Sequence, residues 1–388
     1  MAKAISSVEM IGRLVAFDTT SRESNLGLIE FVRDYLDGFG VKSELVHDSD
    51  SRKANLFATI GPPDRGGVML SGHSDVVPVD GQDWDGDPFV VRESDGKLYG
   101  RGTADMKSFI AAALAAVPEF CAGRLRIPVH IAVTYDEEVG CLGVRPLIAA
   151  LARRAVRPRF CIIGEPTSMQ PVIAHKGKKS LRCDVHGRES HSALSHVGVN
   201  AIEAAAEIVA YIGGLARRRR HEGPFDPSFM PPYTTIQTGI IAGGTALNIV
   251  PRDCRFDFEI RNLPGDDPDA LVAEIRRHAA TLLPEMQRVS AATGIAFEET
   301  NEIPALAASP EDTIVRLAQS LTGANAVGKV SFGTEGGLYQ QAGIPTVVCG
   351  PGSIEQAHRP NEFIALDQVR QCDGFLRGLL ARLVDGRV

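Results

Sequence analysis

Between residues 23 and 39, Leu28, Phe31, Val32, Tyr35, Leu36 and Phe39 recur at helical spacing and fall on one stripe. Gly38 and Gly40 mark the end of this predicted helix, because glycine readily takes the conformation that closes one. Another helix is predicted over about 5–17, and short strands over 41–46 and 55–60. Gly61-Pro62-Pro63 turns the chain. The run 67–71 reads as a buried strand that delivers His73, and 75–98 as an irregular polar loop. An alanine-rich helix over 108–117, a strand over 127–134, a helix over 144–153 and a strand over 160–163 follow. Such alternation predicts an α/β domain, with a mixed, mostly parallel sheet flanked by helices.

The pattern then changes. Residues 179–185 alternate apolar and polar, as a half-buried strand does. A helix over 200–216, strands over 234–242 and 254–260, a helix over 269–282 and a final strand near 295–298 complete an α+β module of about 110 residues. Helices over 310–321 and 366–384 and a strand over 344–349 resume the first pattern. The expected organisation is a first domain part over 1–178, an insertion over 179–291 and a second part over 292–388. No internal repeat is visible.

With 388 residues, 44% hydrophobic and 23% charged, the chain has room for two domains. The net charge of -7 argues against broad binding to nucleic acid or an anionic membrane, which needs a basic surface. The run Arg217 to Arg220 closes a helical stretch and reads as a solvated face that complements the helix dipole. Cys121, Cys141, Cys161, Cys183, Cys254, Cys349 and Cys372 are spread singly, without a CxxC spacing, and several lie in apolar runs. This pattern fits buried thiols in a reducing compartment, not a disulfide framework or a thiolate zinc site. The first residues show no signal-like pattern, and no run reaches the roughly 18–20 apolar residues of a membrane span. A soluble, cytoplasmic protein is the expectation.

Candidate chemistry sits in short polar motifs, most of them directly after an apolar run. They are Ser71-Gly72-His73-Ser74-Asp75, Gly100 to Lys107 with Asp105, Asp136-Glu137-Glu138, Gly164-Glu165-Pro166-Thr167 and Ala357-His358-Arg359-Pro360. Strand ends deliver distant residues to one edge of a sheet, where open α/β folds place their sites. Histidine nitrogen and carboxylate oxygen suit Zn²⁺, Co²⁺ or Mn²⁺. Asp75, two residues after His73, is placed to orient the imidazole through its second nitrogen. Glu137 and Glu138 are adjacent and point different ways, so one can ligate while the other handles protons. Any one of these residues alone is an ordinary turn or surface charge. The set has the inventory of two metal ions bridged by a carboxylate.

These motifs, with Phe332-Gly333-Thr334-Glu335-Gly336-Gly337 and Cys349-Gly350-Pro351-Gly352 through Glu362, resemble the M20 family of metallopeptidases and deacylases over essentially the whole chain. The resemblance implies a zinc-exopeptidase-like fold with an inserted lid and dimerisation domain. It implies that Asp105 bridges two divalent metal ions, Zn²⁺ first and Co²⁺ second. His73 and Glu165 then complete one site, and Glu138 and His358 the other. Glu137 takes the place of the general base and acid, and Asp75 supports His73. In the insertion, His191 matches a histidine that reaches into the partner subunit's site, while His186 is structural. Asn248 and Arg261 match substrate-binding positions, and a guanidinium suits a carboxylate. Glu335 is a candidate for an ammonium pocket, without an assigned place.

The implied reaction is hydrolysis of a small N-acyl amino acid by a homodimer. The segments around Thr334-Glu335 and Cys349 to Glu362 point to the branch that deacetylates N2-acetyl-L-ornithine in arginine biosynthesis. N-acyl-amino-acid deacylases, succinyl-diaminopimelate desuccinylases and dipeptidases of the family share the metal ligands. A non-catalytic metal-binding interaction protein is the alternative from another class. It calls for a missing base or bridging ligand, and Glu137 and Asp105 are both present. The glycines around Arg101 form neither a P-loop nor a dinucleotide fingerprint.

Overall fold

In the computed structural model, which describes residues 3–388, the apolar runs ending near residues 60, 71, 134 and 163 become neighbouring strands. The main sheet runs Ser43–His47, Ala54–Ile60, Val129–Thr134, Val68–His73, Phe160–Pro166, Thr346–Gly350, Val172–His175, Leu306–Ala307, with Gly328–Val330 paired to Val172–His175. Val68–His73 is parallel to both neighbours, and Phe160–Pro166 is parallel to Thr346–Gly350. Ser43–His47 and Ala54–Ile60 add an antiparallel edge. Every residue of Val68–His73, Val129–Thr134 and Phe160–Pro166 is buried, as in a sheet covered on both faces.

Helix Leu26–Asp37 packs on Ala54–Ile60, and helix Lys107–Ala115 on Val68–His73. The second helix is buried all round, from Lys107 to Leu114. Its seat requires glycine. A Cβ at Gly164 would lie 1.8 Å from the Phe109 ring, and one at Gly72 would lie 2.7 Å from Met106 Cε. Glycine therefore lets the helix that follows Asp105 approach the strands that carry His73 and Glu165.

Two compact units divide the chain. One comprises the residues up to Ala174 with Leu306–Lys329 and Thr334–Val388, and the other His175–Ala305 with Val330–Gly333. The second unit therefore extends past the boundary at 291/292 read from the sequence. Strand Gly294–Ile303 pairs with Lys178–His186 along its length, so it belongs to the inserted sheet. That sheet is antiparallel, in the order Thr235–Gly243, Asp253–Arg261, Lys178–His186, Gly294–Ile303. Lys178–His186 alternates as expected, with Leu181, Cys183 and Val185 buried against Ala205, Ile208 and Ile275. Helix Ala201–Glu222 is capped by Asn200 Oδ1, which accepts from the N–H groups of Ile202 and Glu203. It runs through the arginines to Gly223, beyond the expected end at 216.

The loop expected over 75–98 contains strands Arg92–Ser94 and Lys97–Tyr99, which form a small sheet with Phe363–Ala365. Six cysteines are buried and Cys121 is exposed, all as free thiols. No described helix is long and apolar enough to cross a membrane.

Candidate metal centre

The parallel strands all end at one edge, and the motifs sit there. His73 closes Val68–His73, Glu165 lies near the end of Phe160–Pro166, and Glu137 and Glu138 follow Val129–Thr134. Asp105 precedes helix Lys107–Ala115, and His358 lies in the loop after Thr346–Gly350.

Two donor groups result, and Asp105 belongs to both: His73, Asp105 and Glu165, and Asp105, Glu138 and His358. His73 Nε2 lies 3.1 Å from Asp105 Oδ1 and 3.8 Å from Glu165 Oε1. His358 Nε2 lies 3.5 Å from Asp105 Oδ2 and 3.1 Å from Glu138 Oε2. Asp105 thus turns one oxygen to each group. Two donors about 2.1 Å from a common tetrahedral ion stand roughly 3.4 Å apart, so these separations fit divalent cations.

His73 Nδ1 lies 2.9 Å from the Asp75 backbone carbonyl and 3.5 Å from Asp75 Oδ1. The carbonyl is therefore the acceptor. It fixes the proton on Nδ1 and leaves Nε2 facing the donors. The Asp75 carboxylate has a second task that sequence reading missed. It accepts from the N–H groups of Glu137 at 3.1 Å and Glu138 at 3.2 Å, and from Ser21 Oγ at 2.8 Å. One residue thereby orders both the histidine and the paired glutamates. Only an accepting carboxylate so close to two glutamate N–H groups signals this, and spacing does not display it.

Charge gives an independent test of fit. Asp75, Asp105, Glu137, Glu138 and Glu165 crowd around His73 and His358. Burial opposes charge on His73, yet Asp105 and Asp75 outweigh it and hold the imidazole well above its ordinary range. Hydrogen bonds that the imidazolium donates to Asp105 and Glu138 raise His358 to about 10. Burial, then Asp105, raises Glu138 to about 7, and burial with neighbouring carboxylates pushes Glu137 and Glu165 well up. Burial also opposes the Asp105 charge, but the two histidines hold it well below the usual carboxylate range. The cluster holds protons unless cations replace them, which is the behaviour of a metal-binding donor set.

Glu137 belongs to neither donor group; its Oε1 accepts from Cys141 Sγ at 3.4 Å. Glu335 is 1% exposed, so the ammonium role considered for it meets a sealed side chain. Burial raises its carboxyl to about 7, against the pull of the Thr134 and Ser71 hydroxyls.

The inserted unit brings His191 and Asn248 together. His191 bridges Ile249, and Ser192 N donates to Asn248 O at 3.0 Å. His186 stands at the same end, with Nδ1 2.7 Å from Asp253 Oδ1. Arg261 does not join them. It closes strand Asp253–Arg261 at the far end, where its Nε donates to Glu259 Oε1 at 3.2 Å. Eight residue steps of strand separate the two ends by about 26 Å.

Known proteins resemble this chain over most of its length. The profile of peptidase family M20/M25/M40 matches residues 69–382. An acetylornithine deacetylase of Proteus mirabilis is 39% identical over 90% of this chain and 88% of its own length. One of Pasteurella multocida is 35% identical over the full length of both. Among solved structures, the aminopeptidase PepT of Bacillus cereus superposes with a TM-score of 0.75 at 20% identity, covering 97% of this chain and 98% of the other.

Proposed function

This chain belongs to peptidase family M20/M25/M40 and is a metal-dependent amidohydrolase, and we propose that it removes acetate from N2-acetyl-L-ornithine to give L-ornithine. The observation that carries the hydrolytic reading is the pair of donor groups sharing Asp105, with Glu137 beside them and outside both. The substrate is taken from the full-length likeness to acetylornithine deacetylases.

In this reading His73, Asp105 and Glu165 hold one divalent ion and Asp105, Glu138 and His358 the other, with Zn²⁺ preferred and Co²⁺ the alternative. Such ions supply Lewis-acid polarisation and make water more acidic. Glu137 accepts a proton from water as its oxygen forms a bond to the acyl carbon. It returns that proton to the nitrogen as the carbon–nitrogen bond breaks. Asp75 holds the backbone of Glu137 and Glu138 and the ring of His73 in place.

His191 donates to the developing oxyanion, Asn248 positions the substrate and Arg261 takes its carboxylate. His191 and Asn248 lie about 26 Å of strand away from Arg261, which supports their supply by a second subunit. Strand Thr235–Gly243 is a sheet edge that exposes Ile240 and Ile241, beside exposed Leu247 and Ile249. A homodimer formed along this edge covers that apolar surface. The reading places the enzyme in the cytoplasm.

The test is acetate release by metal-stripped protein titrated with Zn²⁺ or Co²⁺. Succinyl-diaminopimelate, other N-acetyl amino acids and a dipeptide serve as competing substrates. Metal-dependent release that is fastest from N2-acetyl-L-ornithine is expected. Faster turnover of another substrate overturns the substrate and keeps the hydrolytic centre.

A further inference from the structure

Glu362 has no place in the reaction just described, yet its side chain is 1% exposed and every hydrogen bond it accepts comes from one loop. Its Oε2 accepts from Arg101 Nη1 at 2.7 Å and Gly102 N at 3.1 Å. Its Oε1 accepts from Ala104 N at 2.8 Å and Asp105 N at 3.0 Å. Both oxygens are thus saturated by the loop that carries the shared carboxylate. A buried ion pair is secure when its remaining polar valences are met in this way.

The small sheet sets up this contact. Phe363 pairs with Tyr99 in an antiparallel register, and Gly100 N donates to Glu362 O at 2.9 Å. Glu362 and Arg101 therefore leave adjacent strands side by side. Arg101, equally buried, continues the chain of contacts. Its Nη2 donates to Gln82 Oε1 at 2.7 Å, and its guanidinium lies 5.2 Å above the Trp84 ring. Gln82 Nε2 then donates to the backbone oxygen of His358 at 3.0 Å. Three loops are closed into one network by these contacts.

His358 needs such support. Its side chain is 55% exposed and its φ is 65°, in the left-handed region that non-glycine residues seldom adopt. By contrast, His73 and Glu165 are fixed by strands buried on both faces.

We propose that Glu362, acting through Arg101 and Gln82, is a positioning residue that holds Asp105 and His358 in register. The inference rests on the two-ion reading of the centre. It has an asymmetric consequence. The network carries two donors of the Asp105–Glu138–His358 group but only one of the His73–Asp105–Glu165 group. Weakening it loosens the first group more than the second.

The test titrates metal-stripped wild-type protein and the Glu362→Gln variant with Zn²⁺ by calorimetry. His358→Ala and Glu165→Gln identify which binding event belongs to which group. In Glu362→Gln, an amide NH₂ faces two donors that an oxygen used to accept. Affinity at the His358 group is expected to fall roughly 10–100-fold, with a smaller loss at the His73 group. Glu362→Asp keeps the charge and is expected to recover part of the loss. A merely structural role lowers the melting temperature and leaves the ratio of the two affinities unchanged. Unchanged affinities, or equal losses at both groups, overturn the proposal. If Glu362→Gln does not fold, Gln82→Leu leaves the Glu362–Arg101 hydrogen bond in place and removes the link to His358, together with the acceptor that Gln82 Oε1 offers Arg101 and Trp84. Its loss is expected at the His358 group alone, and no loss there overturns the proposal. Failure of the wild-type protein to bind two ions is a different result, and it removes the two-ion reading itself.

Discussion

In the main sheet, His73 and His358 come from distant parts of the chain and meet on the two oxygens of Asp105. In the inserted sheet, Asn248 and Arg261 are close in sequence and stand at opposite ends of one strand. The cause is strand direction. Parallel strands send all their carboxyl ends to one edge, so motifs placed after each strand converge. Antiparallel strands send successive ends to opposite edges, so neighbouring motifs separate. The first arrangement is complete within one unit. The second offers its residues in two lots, which suits a site assembled from two subunits.

The largest effect is expected at the centre of the convergent set. Glu137→Gln should lower kcat roughly 10²–10⁴-fold, the usual contribution of a general acid–base group. Metal content should stay at the wild-type value, because Glu137 belongs to neither donor group. Loss of bound metal along with activity assigns Glu137 to the ligands and breaks the division of labour with Glu138.

The divided set is tested by mixing subunits. His191→Ala should slow turnover roughly 10²–10³-fold, the cost of removing an oxyanion donor. Glu137→Gln and His191→Ala are each nearly inactive alone. If His191 serves the partner's site, a mixed dimer contains one site with both residues intact. Random exchange then restores about a quarter of wild-type activity, since half the dimers are mixed and each holds one working site. If His191 serves its own site, no mixture restores activity, and the contrast between the two sheets loses its functional meaning.

A third prediction concerns the stability of the convergent sheet. His130, on Val129–Thr134, accepts from Gly67 N at Nε2 and meets Thr59 Oγ1 at Nδ1, so the neutral ring is fully used. Burial, aided by the charge of Arg154, lowers it to about 4. Its unfolded value is near 6.5, so the unfolded chain binds more protons between these limits. The stability it contributes is present above pH 6.5 and is lost as pH falls toward 4, by about 3 kcal/mol. Denaturant melts of metal-free protein at pH 7.5 and pH 4.5 should show a smaller acid loss in His130→Gln than in the wild type. Equal losses exclude His130 as a source of acid sensitivity.

How much of this was legible follows from where the information lies. The long strands were visible because burial on both faces gives continuous apolar runs, as in Val129–Thr134. The candidate donors were visible because each stands in a short polar motif, most of them with a glycine nearby. Arg92–Ser94 was hidden because it is polar, and Leu306–Ala307 because two residues carry no period. The helix end at 216 was misplaced because the apolar stripe stops at Leu215 while arginine continues a helix at little cost. The roles of Asp75 and Glu362 toward the loops were hidden for a different reason. Most of their partners are backbone N–H groups, which nearly every residue has and no sequence pattern marks.

The smallest expected effect tests whether convergence also needs close contact between helix and sheet. A Cβ at Gly164 would meet Phe109 Cγ at 1.8 Å and Cδ1 at 2.0 Å, far inside van der Waals contact. Phe109 is 1% exposed, so the ring cannot swing into solvent and the helix must shift. Gly164→Ala should therefore destabilise the protein by about 1–3 kcal/mol, the usual cost of overpacking. The shift has a direction: Glu165 follows the substituted residue, and Asp105 precedes the displaced helix. Zn²⁺ affinity at the His73–Asp105–Glu165 group should weaken more than at the other group, the reverse of the order expected for Glu362→Gln. Phe109→Leu in the same chain should relieve part of both losses, because the two residues share one contact and their effects do not add. If Phe109→Leu gives no relief, the steric account of Gly164 is wrong, and the strands alone are enough to gather the donors.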